Sequence, residues 1–226
     1  MNLLLLHGAL GSAAQLRALQ ERFGGVAIDL SGHGGREIPS EGIRFEHFIA
    51  DIDRAFDEQG WREAHLFGYS MGGYAAMLYA ARNPGRVKSV ITLGTKFLWT
   101  EEGLKKELRM LDPEVMEQKV PAFARSLADA HGTNRWKEVV RAIAASMSGL
   151  AASPLLTTEV CARIACPVLI CVGEKDTTAV PADTQEFAEG VQGSEVFVLP
   201  DTPHPFEKVE LDILLPRLRA FWRRTA

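Results

Sequence analysis

No block of like charge and no membrane-length apolar run occurs in these 226 residues. Lysine plus arginine number 25 against 29 aspartates and glutamates, a formal net charge of −4. That balance argues against nucleic acid or an anionic membrane as the partner. Cysteine is scarce: Cys161, Cys166 and Cys171 lie close together, but in neither zinc nor thiol-redox spacing. Thiols with no pairing pattern fit a reducing, cytoplasmic setting, and Cys166 and Cys171, beside an apolar run, read as small buried hydrophobes. There is no H-x-x-x-H pair and no Cys/His cluster in sequence, so no metal site is expected. Repeats and low-complexity segments are also missing. The apolar opening, residues 1–6, lacks a basic leader, is too short to span a bilayer and runs straight into His7-Gly8. It reads as a strand.

What is present is a hydrophobic fraction of 46%, ample for one large buried core. Short apolar runs alternate with helical patterns. Strands are expected at 3–6, 26–30, 66–69, 87–93, 167–173 and 195–199. Helices are expected at 13–23, 45–59, 71–82, 182–190 and 209–224, the last kinked or starting late because of Pro216. Between about 97 and 159 only helical stretches occur, at 101–111, 113–131 and 135–150. The alternation implies an α/β fold, a doubly wound, mostly parallel six-stranded sheet. Residues 1–96 and 160–226 would form its core, and an all-helical insertion at 97–159 would lie over it as a cap.

The organising stretch is His65-Leu66-Phe67-Gly68-Tyr69-Ser70-Met71-Gly72-Gly73-Tyr74, a G-x-S-x-G sequence between an apolar run and an Ala-rich helical pattern. A turn from strand to helix within two residues needs backbone room, which Gly68 and Gly72 supply, and it exposes the Ser70 hydroxyl at its apex. The bland alternative is a glycine-rich turn with an incidental serine; the strand before and the helix after favour the functional one. In open parallel sheets ligands bind beyond the carboxyl ends of the strands. Polar residues follow the strands here at His7-Gly8-Ala9-Leu10, at Ser70, at Gly173-Glu174-Lys175-Asp176 and at Pro200-Asp201-Thr202-Pro203-His204. A serine needs a base to take its proton, and an imidazole oriented by a carboxylate is the common one. Ser70, Asp176 and His204 occur in that order.

Five segments together resemble the α/β-hydrolase family over nearly the whole chain. His7-Gly8 is similar to its oxyanion loop, Ser31-Gly32-His33-Gly34 to the turn after its next strand, and Gly68-Tyr69-Ser70-Met71-Gly72 to its nucleophile elbow. Val172-Gly173-Glu174-Lys175-Asp176 resembles its acid loop, and His204 falls where the family keeps its base. The resemblance implies Ser70 as nucleophile, His204 as general acid and base, and Asp176 as orienting acid. Backbone N–H groups of Met71 and of Ala9 or Leu10 would hold the oxyanion. The chain departs from the family in beginning at the His-Gly strand, without a preceding antiparallel hairpin, and in flanking His204 with Pro203 and Pro205.

Asp201, following the same strand as His204, is the competing orienting acid. His7 and His33 read as braces of their loops, while His47, His65 and His131 default to surface or helix-end positions. Lys96, Phe97 and Trp99, just after the fourth strand, are the candidates for substrate contact. Met110, Met116, Phe123, Trp136 and Met147 are cap residues of which some must face the cleft. The implied activity is hydrolysis of a small ester or thioester through an acyl-Ser70 intermediate, with a small-molecule substrate, no cofactor, and a homodimer as an option. Carbon–carbon bond hydrolysis, haloperoxidase-like, lyase or synthase chemistry would use the same triad. A low-turnover ligand sensor, marked by a large exposed apolar patch on the cap, is the rival of another class.

Overall fold

The computed structural model describes residues 1–225. Strand β1 (Leu3–Leu6) leads through a turn of 3-10 helix into α1 (Arg17–Phe23), followed by β2 (Val26–Ile28), α2 (Phe45–Glu58), β3 (Ala64–Tyr69), α3 (Met71–Arg82) and β4 (Val87–Leu93). Four longer helices then follow without a strand: α4 (Glu101–Met110), α5 (Pro113–Lys119), α6 (Pro121–His131) and α7 (Trp136–Met147). A single turn, α8 (Thr158–Cys161), leads to β5 (Val168–Gly173), α9 (Pro181–Glu189), β6 (Ser194–Leu199) and α10 (Leu211–Thr225).

The six strands pair in the order β2-β1-β3-β4-β5-β6, every pair parallel. A parallel sheet is covered on both faces, and the four leucines of β1 show how. Leu4 and Leu6 pack into one core with Phe48, Ile52 and Tyr74 of α2 and α3. Leu3 and Leu5 pack on the other side with Leu19 of α1 and Leu214, Leu218 and Phe221 of α10. All four are completely buried. Because β2 and β3 lie on opposite sides of β1, the winding reverses between β1 and β3. The crevice beyond that reversal is where such sheets bind ligands, and the loops that border it carry His7–Gly11 and Ser70.

Several elements differ from the sequence expectation. The helix expected over 113–131 is two, because Pro121 has no N–H and disfavours a helical conformation in the residue before it; Val120 sits at φ −134°, ψ 57°. Strand β2 ends at Ile28 rather than at residue 30; beyond it the Leu30 N–H donates to His7 Nε2 at 3.0 Å instead of to a neighbouring strand. Strand β3 begins two residues before the expected start, at Ala64, and draws in His65, which is buried rather than on the surface, with Nδ1 2.8 Å from Ser89 Oγ on β4. The last helix starts at Leu211 and contains Pro216. Cys161 and Cys171 are buried and Cys166 half-buried, and burial pushes their thiols up to about 11, 12 and 11 respectively. Among the described residues no helix is long and apolar enough to cross a membrane.

Candidate active site

The G-x-S-x-G glycines answer to close backbone approach. A Cβ on Gly68 would run into the backbone of Gly72 and Gly73, and one on Gly72 into the carbonyl oxygens of Leu6 and His7. Between them Ser70 adopts φ 50°, ψ −115°, a conformation that costs a non-glycine residue about 1–3 kcal/mol and persists only where its surroundings hold it. Its N–H donates to Leu93 O at 2.8 Å, and its carbonyl accepts from Gly73 and Tyr74 N–H and from the Thr95 hydroxyl at 3.0 Å. The hydroxyl of Ser70 is thereby held at the start of α3, in the crevice.

Ser70 Oγ lies 3.4 Å from His204 Nε2, and His204 Nδ1 lies 2.8 Å from Asp176 Oδ2. The first distance is longer than a well-formed O–H···N bond, as is common in a ligand-free site. Asp176 is buried, and its other oxygen accepts the N–H groups of Thr178 and Ala179, each at 2.8 Å. Asp201 instead points into solvent and pairs with Lys175 at 2.6 Å. Of the two competing carboxylates, only Asp176 reaches the imidazole. The prolines around His204 do not keep it from Ser70: the Tyr69 hydroxyl donates to the His204 carbonyl at 2.9 Å and anchors the loop. Gly94, at φ 60°, completes the fit, since a Cβ there would stand 3.3 Å from Asp176 Oδ2 and 3.4 Å from His204 Nδ1.

The opposite wall is the turn closed by Gly11 N–H on Gly8 O, with Ala9 and Leu10 at its centre and Leu10 at φ 61°. Gln15 Oε1 accepts the Gly8 N–H at 3.0 Å. From 121 residues away, His131 Nε2 lies 2.9 Å from Leu10 O. Its Nδ1 accepts the Gly34 N–H at 3.0 Å, and because an amide can only donate, this defines the tautomer, with the proton on Nε2 bonding Leu10. His131 ends α6, one of the two placements expected of it, and it is buried. Sequence spacing held no signal for this contact, nor for Thr95, Gln15 or Gly94.

His131 also meets His33, at 5.8 Å between ring centroids, and His33 meets His7 at 4.8 Å, a cluster that spacing did not reveal. His7 donates from Nδ1 to Gly8 O and accepts the Leu30 N–H at Nε2, so it braces the loop as expected. Burial lowers all three imidazoles: His7 is pushed down to about 4, His33 well below its ordinary value, and His131 lowered as well. The folded state therefore refuses protons that the unfolded chain takes up below about pH 6.5. The stabilisation is fully present above that pH and is lost as pH falls through the folded values, at up to about 1.4 kcal/mol per pH unit for each imidazole. Urea midpoints should be level from pH 7.5 to about 6.5 and fall from there to pH 5; a level profile down to pH 5 would contradict neutral burial of the cluster.

A cavity of about 590 Å³ opens over Ser70 and His204. Ala9, Leu10, Met71, Phe45 and Tyr74 line its floor, and helices α4 to α7 supply Met110, Met116, Phe123 and Met147. Trp136 is buried but does not reach it. Of the three expected substrate contacts, Lys96 and Trp99 line the cavity and Phe97 does not. Phe97 is buried and stacks on Phe187 of α9 with centroids 3.9 Å apart, so its ring serves packing. Exposed Met110, Val115, Val120 and Phe123 all border the cavity. The apolar surface on these helices thus belongs to the cavity rather than to a separate docking patch.

Residues 2–140 match the family model described as the alpha/beta hydrolase fold. Serine hydrolase BPHL of Mus musculus is 26% identical over 215 residues, covering 89% of this chain and 72% of that protein. A thermophilic esterase from Thermogutta terrifontis superposes with a TM-score of 0.78 at 21% identity, over 100% of this chain and 90% of its own. A 2-hydroxy-6-oxo-6-phenylhexa-2,4-dienoate hydrolase from Rhodococcus sp. strain RHA1 does so at 0.79 and 22%, over 98% and 90%. At such identity the two structures speak for the fold alone. With the family model covering more than half of its length, this chain belongs to the alpha/beta hydrolase fold family.

Proposed function

We propose that the protein is a serine hydrolase that cleaves a small ester or thioester through an acyl-Ser70 intermediate. The observation that supports this reading is the hydrogen-bonded line from Ser70 through His204 to buried Asp176, at 3.4 and 2.8 Å, on the floor of a cavity. His204, carrying its proton on Nδ1 toward Asp176, accepts the Ser70 proton at Nε2 as Oγ attacks the carbonyl carbon. The tetrahedral oxyanion is held by the N–H of Met71, at the start of α3, and by that of Ala9 or Leu10 in the facing turn. Removing one such donor typically costs about 3–4 kcal/mol of transition-state stabilisation. The imidazolium then protonates the leaving group, the C–O or C–S bond breaks, and the same nitrogen takes a proton from the water that releases the acid.

The test is release of 4-nitrophenol from its butyrate ester, together with stoichiometric labelling by diethyl 4-nitrophenyl phosphate. Multiple turnover and a diethylphosphoryl mass increment on the Ser70 peptide are expected. A label on another residue, or no turnover of any ester, would count against the proposal.

A further inference from the structure

Taking the serine hydrolase reading as its basis, we infer that the substrate carries an uncharged, flexible apolar acyl chain, and that Glu107 enforces this by neutralising Lys96 at the cavity wall. Lys96 follows Thr95, whose hydroxyl donates to the Ser70 carbonyl, and its side chain lines the same cavity as the nucleophile. An unpaired ammonium there would select a substrate bearing a carboxylate. It is not unpaired: Lys96 Nζ lies 3.2 Å from Glu107 Oε1 of α4, and their side chains are only 16% and 15% exposed. The same nitrogen sits 5.0 Å from the centre of the Trp99 ring. A substrate carboxylate at Lys96 would either displace Glu107 or share the ammonium with it, and in both cases one negative charge is left uncompensated at a largely buried position, which is costly.

The other charged side chains at the cavity, Lys119 and Glu207, are exposed and of opposite sign. Among the described residues Lys119 makes no ion pair, but it is exposed, where solvent screens its charge, so the partly buried Lys96 is the cation that matters for selection. The rest of the wall is apolar, and of the chain's 6 methionines, Met71, Met110, Met116 and Met147 line it. Methionine is unbranched and polarisable and repacks around ligands of different shape, which suits chains of several lengths. Val120 and Phe123, 47% and 46% exposed at the cavity, carry the apolar wall outward, so a longer chain stays in contact as it leaves.

The experiment compares 4-nitrophenyl butyrate, hexanoate and octanoate with the 4-nitrophenyl monoester of adipic acid, which matches hexanoate in length and adds a terminal carboxylate. In the wild type kcat/KM should rise from butyrate to octanoate, by up to roughly fourfold per methylene buried. The adipate monoester should lie at least about tenfold below hexanoate. Glu107→Gln keeps the shape of the side chain and frees the Lys96 charge; it should raise the adipate ester about tenfold or more while hexanoate changes less than about threefold. If that variant folds poorly, Lys96→Met/Glu107→Leu removes both charges and should still reject the adipate ester. A wild type that prefers the adipate ester, or a Glu107→Gln variant that moves both esters alike, overturns the inference while leaving hydrolysis intact. Tryptophan-fluorescence titration of Ser70→Ala with the same esters separates the two readings. Selective binding of hexanoate without wild-type turnover would overturn the hydrolase proposal alone, and binding of neither ester would overturn both.

Discussion

Ser70→Ala is expected to lower kcat/KM for 4-nitrophenyl butyrate by roughly 10⁴- to 10⁶-fold, the scale on which loss of a triad nucleophile is felt. The fold should barely respond. Among the described residues the side chain's one polar contact is the long 3.4 Å approach to His204, while the hydrogen bonds that hold the elbow use the Ser70 backbone and persist with alanine. Alanine inherits the same φ of 50°, so the local strain is neither relieved nor increased. The thermal midpoint should therefore stay within about 2 °C of wild type. Turnover near the wild-type rate in a variant with native circular dichroism would remove Ser70 from the mechanism.

Exchanging the two candidate acids should give opposite results. In Asp176→Asn the side-chain oxygen retains the Thr178 and Ala179 N–H donors, which turns the new amide NH₂ toward His204. Two donors then face each other unless His204 moves its proton from Nδ1 to Nε2, and in that tautomer Nε2 has no lone pair for the Ser70 proton. A loss of roughly 10³- to 10⁴-fold in kcat is expected at neutral pH. Asp201→Asn breaks only an exposed pair with Lys175, and kcat/KM should stay within about twofold. The pair of pH–rate profiles decides the matter: a comparable loss in both variants, or a larger one in Asp201→Asn, would show that the carboxylate beside His204 is not what orients it.

That contrast also marks how far the sequence could be read. Asp176 and Asp201 both follow strands, and β5 and β6 are neighbours in the sheet, so their loops emerge side by side. No local pattern says which carboxylate turns inward. Two backbone N–H groups capture Asp176, and Lys175 draws Asp201 outward; both effects exist only once the loops are packed. Phe97 and Trp99 pose the same difficulty. They lie two residues apart in a stretch that is neither helix nor strand, so no periodicity relates their directions, and one stacks on α9 while the other lines the cavity. The break at Val120 was legible in principle, because Pro121 announces it, but the helical periodicity on either side ran on across the proline.

The sequence by itself determined what depends on near neighbours. Apolar runs of strand length, buried on both sides, specify a parallel sheet, and two glycines around a serine between a strand and a helix specify the elbow, because backbone sterics over five residues leave little choice. The order of Ser70, Asp176 and His204, each following the end of a strand, was likewise legible. The tertiary structure decided everything that joins distant segments: His131 on the Leu10 carbonyl across 121 residues, Gly94 beside the Asp176–His204 bond, and Glu107 paired with Lys96. Contacts of this kind arise from the packing of whole elements, whose relative placement follows from the burial of their apolar faces and carries no signature in the spacing of the polar residues that finally meet.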